Sequence, residues 1–349
     1  QGTVLDAEVT LSGDYLPLAG GSSSSGSGRI TFSGSNVQNF SYPYVPNVTV
    51  NKSGGSLSVQ GDIQVGGNWT YSAGSVSWNN RKAVFDNTTS GNITISSGSF
   101  YDLELSKQAI SEVNISSLCA VSNNLTVTSI SNLNASNYTG NVEVSGNYIT
   151  NDTSWGGTSK IVFKGSGSNT FTGSGKQGVS AEVYKPGGSL QLFADLDIPN
   201  TGHDLVVRSG NLNLSTFNLS VNDQLTIYGT MTLSGLSSQV ISVSGTTSLS
   251  SNANFTLSAT SSTIIYSDGA GTAVVTSLKK TFYNLIFGAS KTHEFATGAP
   301  NLVTINGSLA SNGTNGTRSV LRSVADASVD WKLTLNGTST LADKVRVKR

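Results

Sequence analysis

The residues best suited to chemistry lie in one polar stretch between two strand-like segments. It holds Asp195, Asp197, His203 and Asp204, and Arg208 follows shortly after. Carboxylates, an imidazole and a guanidinium are groups that polysaccharide-cleaving enzymes use for acid and base catalysis. In a fold of stacked coils, however, cooperating groups come from successive coils, whereas these would fall within one coil. The sequence therefore predicts no catalytic residue and no enzyme, with a polysaccharide-degrading enzyme as the most distant alternative.

The same carboxylates are the candidates for metal binding. Asp195, Asp197 and Asp204 offer the oxygen ligands that Ca²⁺ takes, but no Asp-x-Asp-x-Asp-Gly loop surrounds them. The other histidine, His293, lies beside Glu294 without a Ser or Cys nucleophile motif. We therefore expect no cofactor, and structural calcium at the three aspartates stays an open alternative.

Cysteine usage excludes a disulfide framework, because the chain has a single cysteine. Cys119 lies in an apolar strand-like run, which predicts a small buried side chain. An intermolecular disulfide is the alternative.

Asn-x-Ser/Thr sequons are more frequent than this composition predicts by chance. Each is a possible N-glycosylation site on an extracellular surface. A structural origin is equally open, because a strand that opens with Asn at a turn, an aliphatic inward and Thr outward creates the same triplet. The asparagines concerned are Asn39, Asn47, Asn51, Asn68, Asn87, Asn92, Asn114, Asn124, Asn134, Asn137, Asn151, Asn213, Asn218, Asn254, Asn306, Asn312, Asn315 and Asn336.

The elements that must position these groups are short strands. The chain has 349 residues, of which 11% are charged and 36% hydrophobic, and it is rich in the Val, Ile, Thr, Phe and Tyr that suit a pleated surface. Alternating runs follow one another closely, most regularly over residues 205–233. The only weak helix candidate is 319–330. Strands of this length and spacing predict an all-β sandwich, barrel or solenoid.

An irregular internal repeat favours the solenoid. Two strands separated by a Ser/Gly-rich link recur four times, and a polar residue (Asn47, Asp102, Glu182 or Asn284) lies at the start or within the second strand. Unequal spacing suits a solenoid, because insertions go into its loops. The paired segments are residues 30–32 with 45–50, 83–85 with 100–105, 161–163 with 179–184, and 263–266 with 281–287.

These segments resemble the β-strand-repeat proteins of prokaryotic cell surfaces. The phrases Gly67-Asn68-Trp69-Thr70 and Thr281-Phe282-Tyr283-Asn284-Leu285 carry the similarity, which covers most of residues 29–340. The resemblance implies a right-handed parallel β-helix in a secreted adhesin, surface filament, sheath or surface-layer protein, and it supplies no catalytic residues.

The predicted organisation has three parts. Residues 1–19 hold an N-terminal strand outside the main repeats, residues 20–28 form a Gly/Ser linker, and residues 29–349 form a β-solenoid of about four irregular repeats that start near residues 29, 82, 160 and 263. The N-terminal strand either pairs with another subunit's sheet edge or forms a hairpin or first coil of its own chain.

The two chain ends suggest self-assembly. The first strand carries acidic residues on one face and the last strand carries basic ones, and opposite charges favour strand pairing. A head-to-tail contact of this kind builds an open polymer. The predicted subunit-contact residues are Leu5, Asp6, Ala7, Glu8, Val9, Leu11, Lys344, Val345, Arg346, Val347 and Lys348.

Function and location follow as expectations. The formal net charge is zero, which gives no basic field for nucleic acid, and no apolar run reaches the about 20 residues of a membrane span. Because the chain opens on Gln1 without an initiator Met, we expect a secreted protein with a removed leader. We expect an extracellular structural homopolymer, with a monomeric adhesin or glycan-binding passenger domain as the alternative.

Overall fold

A computed structural model of the protein describes most of the first two thirds of the chain and the strands of the remainder. The residues described are 5–16, 26–41, 43–86, 92–106, 112–135, 140–152, 155–174, 176–233, 240–243, 247–249, 254–257, 263–266, 272–275, 280–282, 284–287, 292–295, 302–311, 319–323, 332–341 and 345–347. The chain divides into two compact units, Gln1–Lys164 and Gly165–Arg349.

The described residues of unit 1 form twenty short strands, most of them three to six residues long. They are β1 Glu8–Leu11, β2 Arg29–Gly34, β3 Gln38–Phe40, β4 Tyr44–Val45, β5 Asn47–Lys52, β6 Leu57–Val59, β7 Ile63–Val65, β8 Trp69–Ala73, β9 Val76–Ser77, β10 Lys82–Phe85, β11 Ile93–Ile95, β12 Gly98–Phe100, β13 Asp102–Ser106, β14 Glu112–Ile115, β15 Cys119–Val121, β16 Leu125–Ser129, β17 Asn132–Ala135, β18 Asn141–Val144, β19 Tyr148–Thr150 and β20 Lys160–Phe163.

Unit 2 is built in the same way. Its strands are β21 Ser168–Gly173, β22 Ser180–Leu192, β23 Leu196–Ile198, β24 Leu205–Ser215, β25 Leu219–Val221, β26 Leu225–Ile227, β27 Thr230–Leu233, β28 Val240–Val243, β29 Thr247–Leu249, β30 Asn254–Leu257, β31 Thr263–Tyr266, β32 Thr272–Val275, β33 Lys280–Phe282, β34 Asn284–Phe287, β35 Thr292–Phe295, β36 Leu302–Ile305, β37 Ser308–Ser311, β38 Ser319–Ser323, β39 Lys332–Leu335, β40 Thr338–Thr340 and β41 Val345–Val347.

Among the strands that the structure describes, every ladder is parallel and joins successive turns, so the predicted parallel β-solenoid is confirmed. In unit 1 a seven-stranded ladder runs β1-β2-β5-β8-β11-β14-β17, and in unit 2 another runs β23-β25-β28-β31-β34-β37-β40. Hydrogen-bonded partners on adjacent turns lie about one coil apart, for example 20 residues for Asn92 with Glu112 and 26 for Asn68 with Thr94. Each predicted repeat therefore spans more than one turn.

Alternation of buried and outward side chains builds the core in most strands whose burial is described. In unit 1 one buried column passes through Ile30, Val48, Trp69, Ile95 and Ile115, all at most 1% exposed. The outward positions between these residues hold polar side chains, because successive side chains of a strand point to opposite faces. Threonines at 10, 31, 49 and 70 form such an outer column.

Aromatic side chains fill the wider part of the core of unit 1. The ring centroids of Trp69, Trp78 and Phe100 lie 5.1 to 5.6 Å apart. Gly98 makes room for them, since a Cβ at this position would lie 2.7 Å from the Phe100 ring. Cys119 is fully buried on the turn after Gly98, as predicted, and burial raises the pKa of its thiol to about 12.

The expected corner residues connect adjacent turns directly. The side-chain oxygens of Asn47, Asp102 and Asn284 each accept a hydrogen bond from a backbone N–H of the next turn, at 2.7 to 2.8 Å. Glu182 behaves differently and pairs with Arg208. A short acceptor at the corner satisfies a donor that the strand ladder leaves open.

One sequence prediction fails. The weak helix candidate at 319–330 begins with strand β38, which pairs in parallel with β35, while residues 324–331 lie outside the described part. Register with β35 overrides the local periodicity, and the described residues contain no helix.

Candidate assembly interface and surface sites

Strand β1 forms one end of the long ladder in unit 1. It pairs in parallel with β2 of the same chain. The ladder therefore includes the N-terminal strand that the sequence predicted to lie outside the main repeats. On its other side, no strand from the described residues adds to it. This edge presents backbone N–H and C=O groups that are able to pair with a further strand.

The inward side chains of β1 are incompletely covered. Val9 and Leu11 are in register with Ile30 and Phe32, which are 1% and 0% exposed. Val9 and Leu11 themselves are only half-buried. The apolar column of the core therefore reaches a face of the described structure where a further turn would bury more of it.

A buried polar pair fixes the N-terminal turn. The side-chain amide of Gln38 donates to the carbonyls of Leu11 and Gly13, at 2.9 and 2.7 Å. Its oxygen accepts from Lys52 Nζ at 2.5 Å, and Lys52 also donates to the carbonyl of Ser33 at 3.4 Å. Burial lowers the pKa of Lys52. Sequence reasoning missed both residues, although a Lys at an inward position of an alternating strand was a usable signal.

The acidic residues of the first strand are engaged within the chain. Glu8 Oε1 lies 3.1 Å from Arg29 Nη1 across the β1–β2 pair. Asp6 Oδ1 accepts from the backbone N–H of Ser27 at 3.0 Å. The carbonyls of Leu5 and Ala7 accept from Gly28 and Arg29. The predicted acidic face is therefore already partly neutralised by its own chain.

The last three strands of the chain, β39 to β41, are the proposed partners of the N-terminal strand. β41, with Val345, Arg346 and Val347, pairs in parallel with β38. Lys344 and Lys348 lie outside the described residues. In β39, Leu335 is half-buried although its register partner Ile305 is fully buried. β40 is exposed along its whole length.

Several predicted sequons coincide with the strand entrances. Asn47, Asn68, Asn92, Asn124 and Asn218 each precede a buried side chain that is followed by Thr or Ser. The amide of Asn47 donates to two carbonyls of the preceding turn, at 2.8 and 3.1 Å, and the amide of Asn218 donates to Asp195. A glycan replaces one of the two amide hydrogens, so Asn47 could not keep both of its bonds if it were glycosylated. These contacts fit the structural origin of the triplet, and glycosylation at these positions stays a prediction.

The remaining sequons fall into three groups. Asn51, Asn151 and Asn306 are exposed, and their amide nitrogens donate no hydrogen bond within the described residues. Other sequon asparagines belong to strands or have side chains that form hydrogen bonds, namely Asn39, Asn114, Asn134, Asn213, Asn254 and Asn336. Asn87, Asn137, Asn312 and Asn315 lie outside the described residues.

The polar stretch near His203 is divided between different contacts. Asp195 accepts from both nitrogens of Asn218 on the next turn, at 2.8 and 3.2 Å. Asp204 Oδ1 accepts from the backbone of Gln224 at 3.1 Å. Burial lowers the pKa of His203, against the opposing effect of Asp204 and Asp223. Arg208 pairs with Glu182.

No shared site joins the five candidate side chains. Asp195 and Asp204 serve as corner acceptors like those of unit 1, and Asp197 lies outward in β23. Within the residues that the structure describes, no three His, Cys, Asp or Glu side chains are grouped so as to hold a metal.

A column of large exposed side chains in unit 2 escaped sequence analysis. Tyr184, Arg208 and Tyr228 each come directly after a buried residue of β22, β24 or β26, and these strands lie on three successive turns. Tyr184 and Arg208 lie within β22 and β24, where a register shift pairs Tyr184 with Ser209, and Tyr228 directly follows β26. The shared sequence pattern, a buried aliphatic residue followed by a large side chain and then closely by a Gly, would have found them. We call these three residues the tyrosine column.

Comparison with known proteins gives no assignment. No protein-family model, curated protein or solved structure matches this chain. Across the described residues, no helix has the length and apolar character that crossing a membrane requires.

Proposed function

We propose that this chain is a secreted extracellular structural protein whose copies add head-to-tail into a filament, sheath or surface layer. The observation that carries the proposal is the β1 edge, where backbone groups and the half-buried Val9 and Leu11 end an otherwise buried column. Strand edges of this kind are templates for pairing with another chain.

The C-terminal strands are the surface that we propose to receive β1 of the next copy. β40 is exposed, and Leu335 of β39 is less buried than the Ile305 beneath it. An edge that ends a parallel ladder and an edge that begins one are unlike surfaces, so their contact is heterologous and continues without closing. Since β1 already pairs with β2, the proposed joint adds a whole turn to a turn and needs no strand exchange.

The proposal also rests on composition. Only 11% of the residues are charged, and outward Ser, Thr and Asn dominate the ladders. Stacked turns place like residues above one another, so a low charge avoids repulsion both within a chain and across a joint. The resemblance to prokaryotic surface proteins points to the same setting.

Sedimentation velocity and negative-stain microscopy over a range of protein concentrations test the proposal. The wild-type chain is expected to form ordered polymers above a critical concentration. The double variant Val9→Lys/Leu11→Lys places two charges at the joint and is expected to stay monomeric.

Thr10→Lys is the matched control, because Thr10 lies between these two residues on the exposed face of the same strand. It is expected to polymerise like the wild type. A wild-type chain that is monomeric at every concentration, or a double variant that polymerises normally, would overturn the proposal. The first outcome would favour a monomeric adhesin.

A further inference from the structure

The tyrosine column is an unusual feature of the surface of unit 2. Tyr184 and Tyr228 are 39% and 51% exposed, and the Arg208 side chain between them is 53% exposed. Val183, Val207 and Ile227, the residues before them, are buried and in register on three successive turns. The two tyrosines are thus separated by two turns, about 10 Å at the usual strand spacing.

Bare backbone borders the column. Ser209-Gly210 follows Arg208, and Gly229 follows Tyr228. A Cβ at Gly210 would lie 2.0 Å from the carbonyl oxygen of Lys185, and one at Gly229 would lie 2.7 Å from that of Gly210. No larger residue fits at Gly210 or Gly229, so these two positions beside the column carry no side chain. A ligand that lies on the tyrosines meets no steric wall at these glycines.

The charged member of the column is held in place. Arg208 Nε donates to Glu182 Oε1 at 2.5 Å, and the Glu182 side chain is only 8% exposed. Glu182 and the nearby tyrosine hydroxyls raise the pKa of Arg208. The guanidinium has five N–H donors, and the one on Nε is used in this pair. The pair carries no net charge, yet it offers hydrogen-bond donors between two aromatic rings.

From this geometry we infer that the tyrosine column binds an extended, uncharged polysaccharide of β-linked pyranose rings. Such rings carry apolar C–H faces that pack on aromatic side chains, and hydroxyls at their rims that bond to polar groups. The separation of Tyr184 and Tyr228 is close to the length of one disaccharide unit in an extended chain. An uncharged ligand fits better than an anionic one, because Glu182 neutralises Arg208.

Isothermal titration calorimetry with cellohexaose and with chitohexaose tests the inference on the full chain. The wild type is expected to bind at least one of them. Tyr184→Ala and Tyr228→Ala are each expected to weaken that binding about tenfold, which corresponds to about 1.4 kcal/mol, and the double variant is expected to abolish it.

Phe193→Ala is the matched control, because Phe193 is an equally exposed aromatic residue, 52%, outside the column. Its affinity is expected to equal that of the wild type. Thermal unfolding followed by circular dichroism shows whether each variant stays folded, which is expected because the replaced rings are exposed. If one of the alanine variants unfolds, it is replaced by the serine variant at that position, Tyr184→Ser or Tyr228→Ser.

Three results would overturn the inference: no binding of either hexasaccharide at millimolar concentration, tyrosine variants that bind normally, or a Phe193 variant weakened to the same degree. Each is independent of the proposed assembly, because the column lies on β22, β24 and β26 and the proposed joint on the end strands. A chain that binds the sugars but forms no polymers would support this site and reject the proposed assembly. A chain that forms polymers but binds neither sugar would support the assembly and reject this site.

Discussion

At the scale of single residues, the corner acceptor is the recurring device. Asn47 and Asp102 use an amide and a carboxylate oxygen for one task, a bond to a backbone N–H on the next turn. Both side chains are short, so that the acceptor stays close to the corner. The sequence indicated these positions through the polar residue in each repeat.

Removing one corner acceptor has a measurable cost. Asn47→Ala leaves the backbone N–H of Asn68 and two carbonyls of the preceding turn without their partner. We expect a loss of about 1–3 kcal/mol in the free energy of unfolding, measured by urea denaturation. Asn51→Ala, an exposed change on the same strand, is the control and is expected to stay within about 0.5 kcal/mol of the wild type. Equal stability of both variants would contradict the role of Asn47.

Other residue roles could not be predicted, because they depend on the neighbouring turn. Glu182 was grouped with the corner residues, but its partner is Arg208, which is 26 residues away in sequence. Asp195 and His203 lie eight residues apart in sequence, yet Asp195 bonds to Asn218, which is 23 residues away. Sequence alone does not state which residue lies one coil above another when coil lengths vary.

At the scale of strands, alternation was a sufficient guide. In β5 and β13, alternate positions are buried, because one face of each strand meets the core. Residues 319–323 form a strand that the sequence analysis interpreted as the start of a weak helix candidate. Their pattern is too short to separate a strand from a helix, and pairing with β35 decides the outcome.

Gly98 gives a prediction at this scale. It occupies an inward position of β12, and the added methyl of Gly98→Ala would lie 2.7 Å from the Phe100 ring and 3.5 Å from Trp69 Nε1. We expect a loss of about 1–3 kcal/mol through overpacking of the aromatic cluster, read from urea denaturation and from altered tryptophan fluorescence.

Gly13→Ala is the control for Gly98→Ala, since a Cβ at Gly13 meets nothing within 4 Å. It is expected to leave both signals unchanged. A Gly98 variant that matches the wild type in stability and fluorescence would show that the cluster accommodates the methyl group without cost.

At the scale of the whole molecule, the fold class followed from the sequence, and the contact between the two chain ends stays a prediction. Repeats, low charge and the absence of a helical period pointed to stacked parallel turns. The ends were expected to attract one another through opposite charges. In the structure, however, Glu8 pairs with Arg29 and Asp6 with Ser27 of the same chain.

This difference predicts how assembly responds to salt. If Val9, Leu11 and the backbone edge form the joint, raising the ionic strength to about 1 M, where the Debye length is about 3 Å, should leave the critical concentration unchanged or lower it. A joint between an acidic and a basic strand should weaken instead. Light scattering at several salt concentrations distinguishes the apolar joint from the charged one. A critical concentration that rises several-fold with salt would reject the apolar joint.

The Gln38–Lys52 pair has a consequence for how the chain finds its alignment. Successive turns of a solenoid are so alike that a strand displaced by a whole turn would still bury apolar side chains. With such a displacement, the Lys52 ammonium would enter an apolar column without Gln38 and the Ser33 carbonyl to receive it. An unpaired buried charge is far more costly than a lost methyl contact. The pair thus disfavours a stack in which neighbouring turns are displaced by a whole turn, and it fixes which turns lie at the start of the stack.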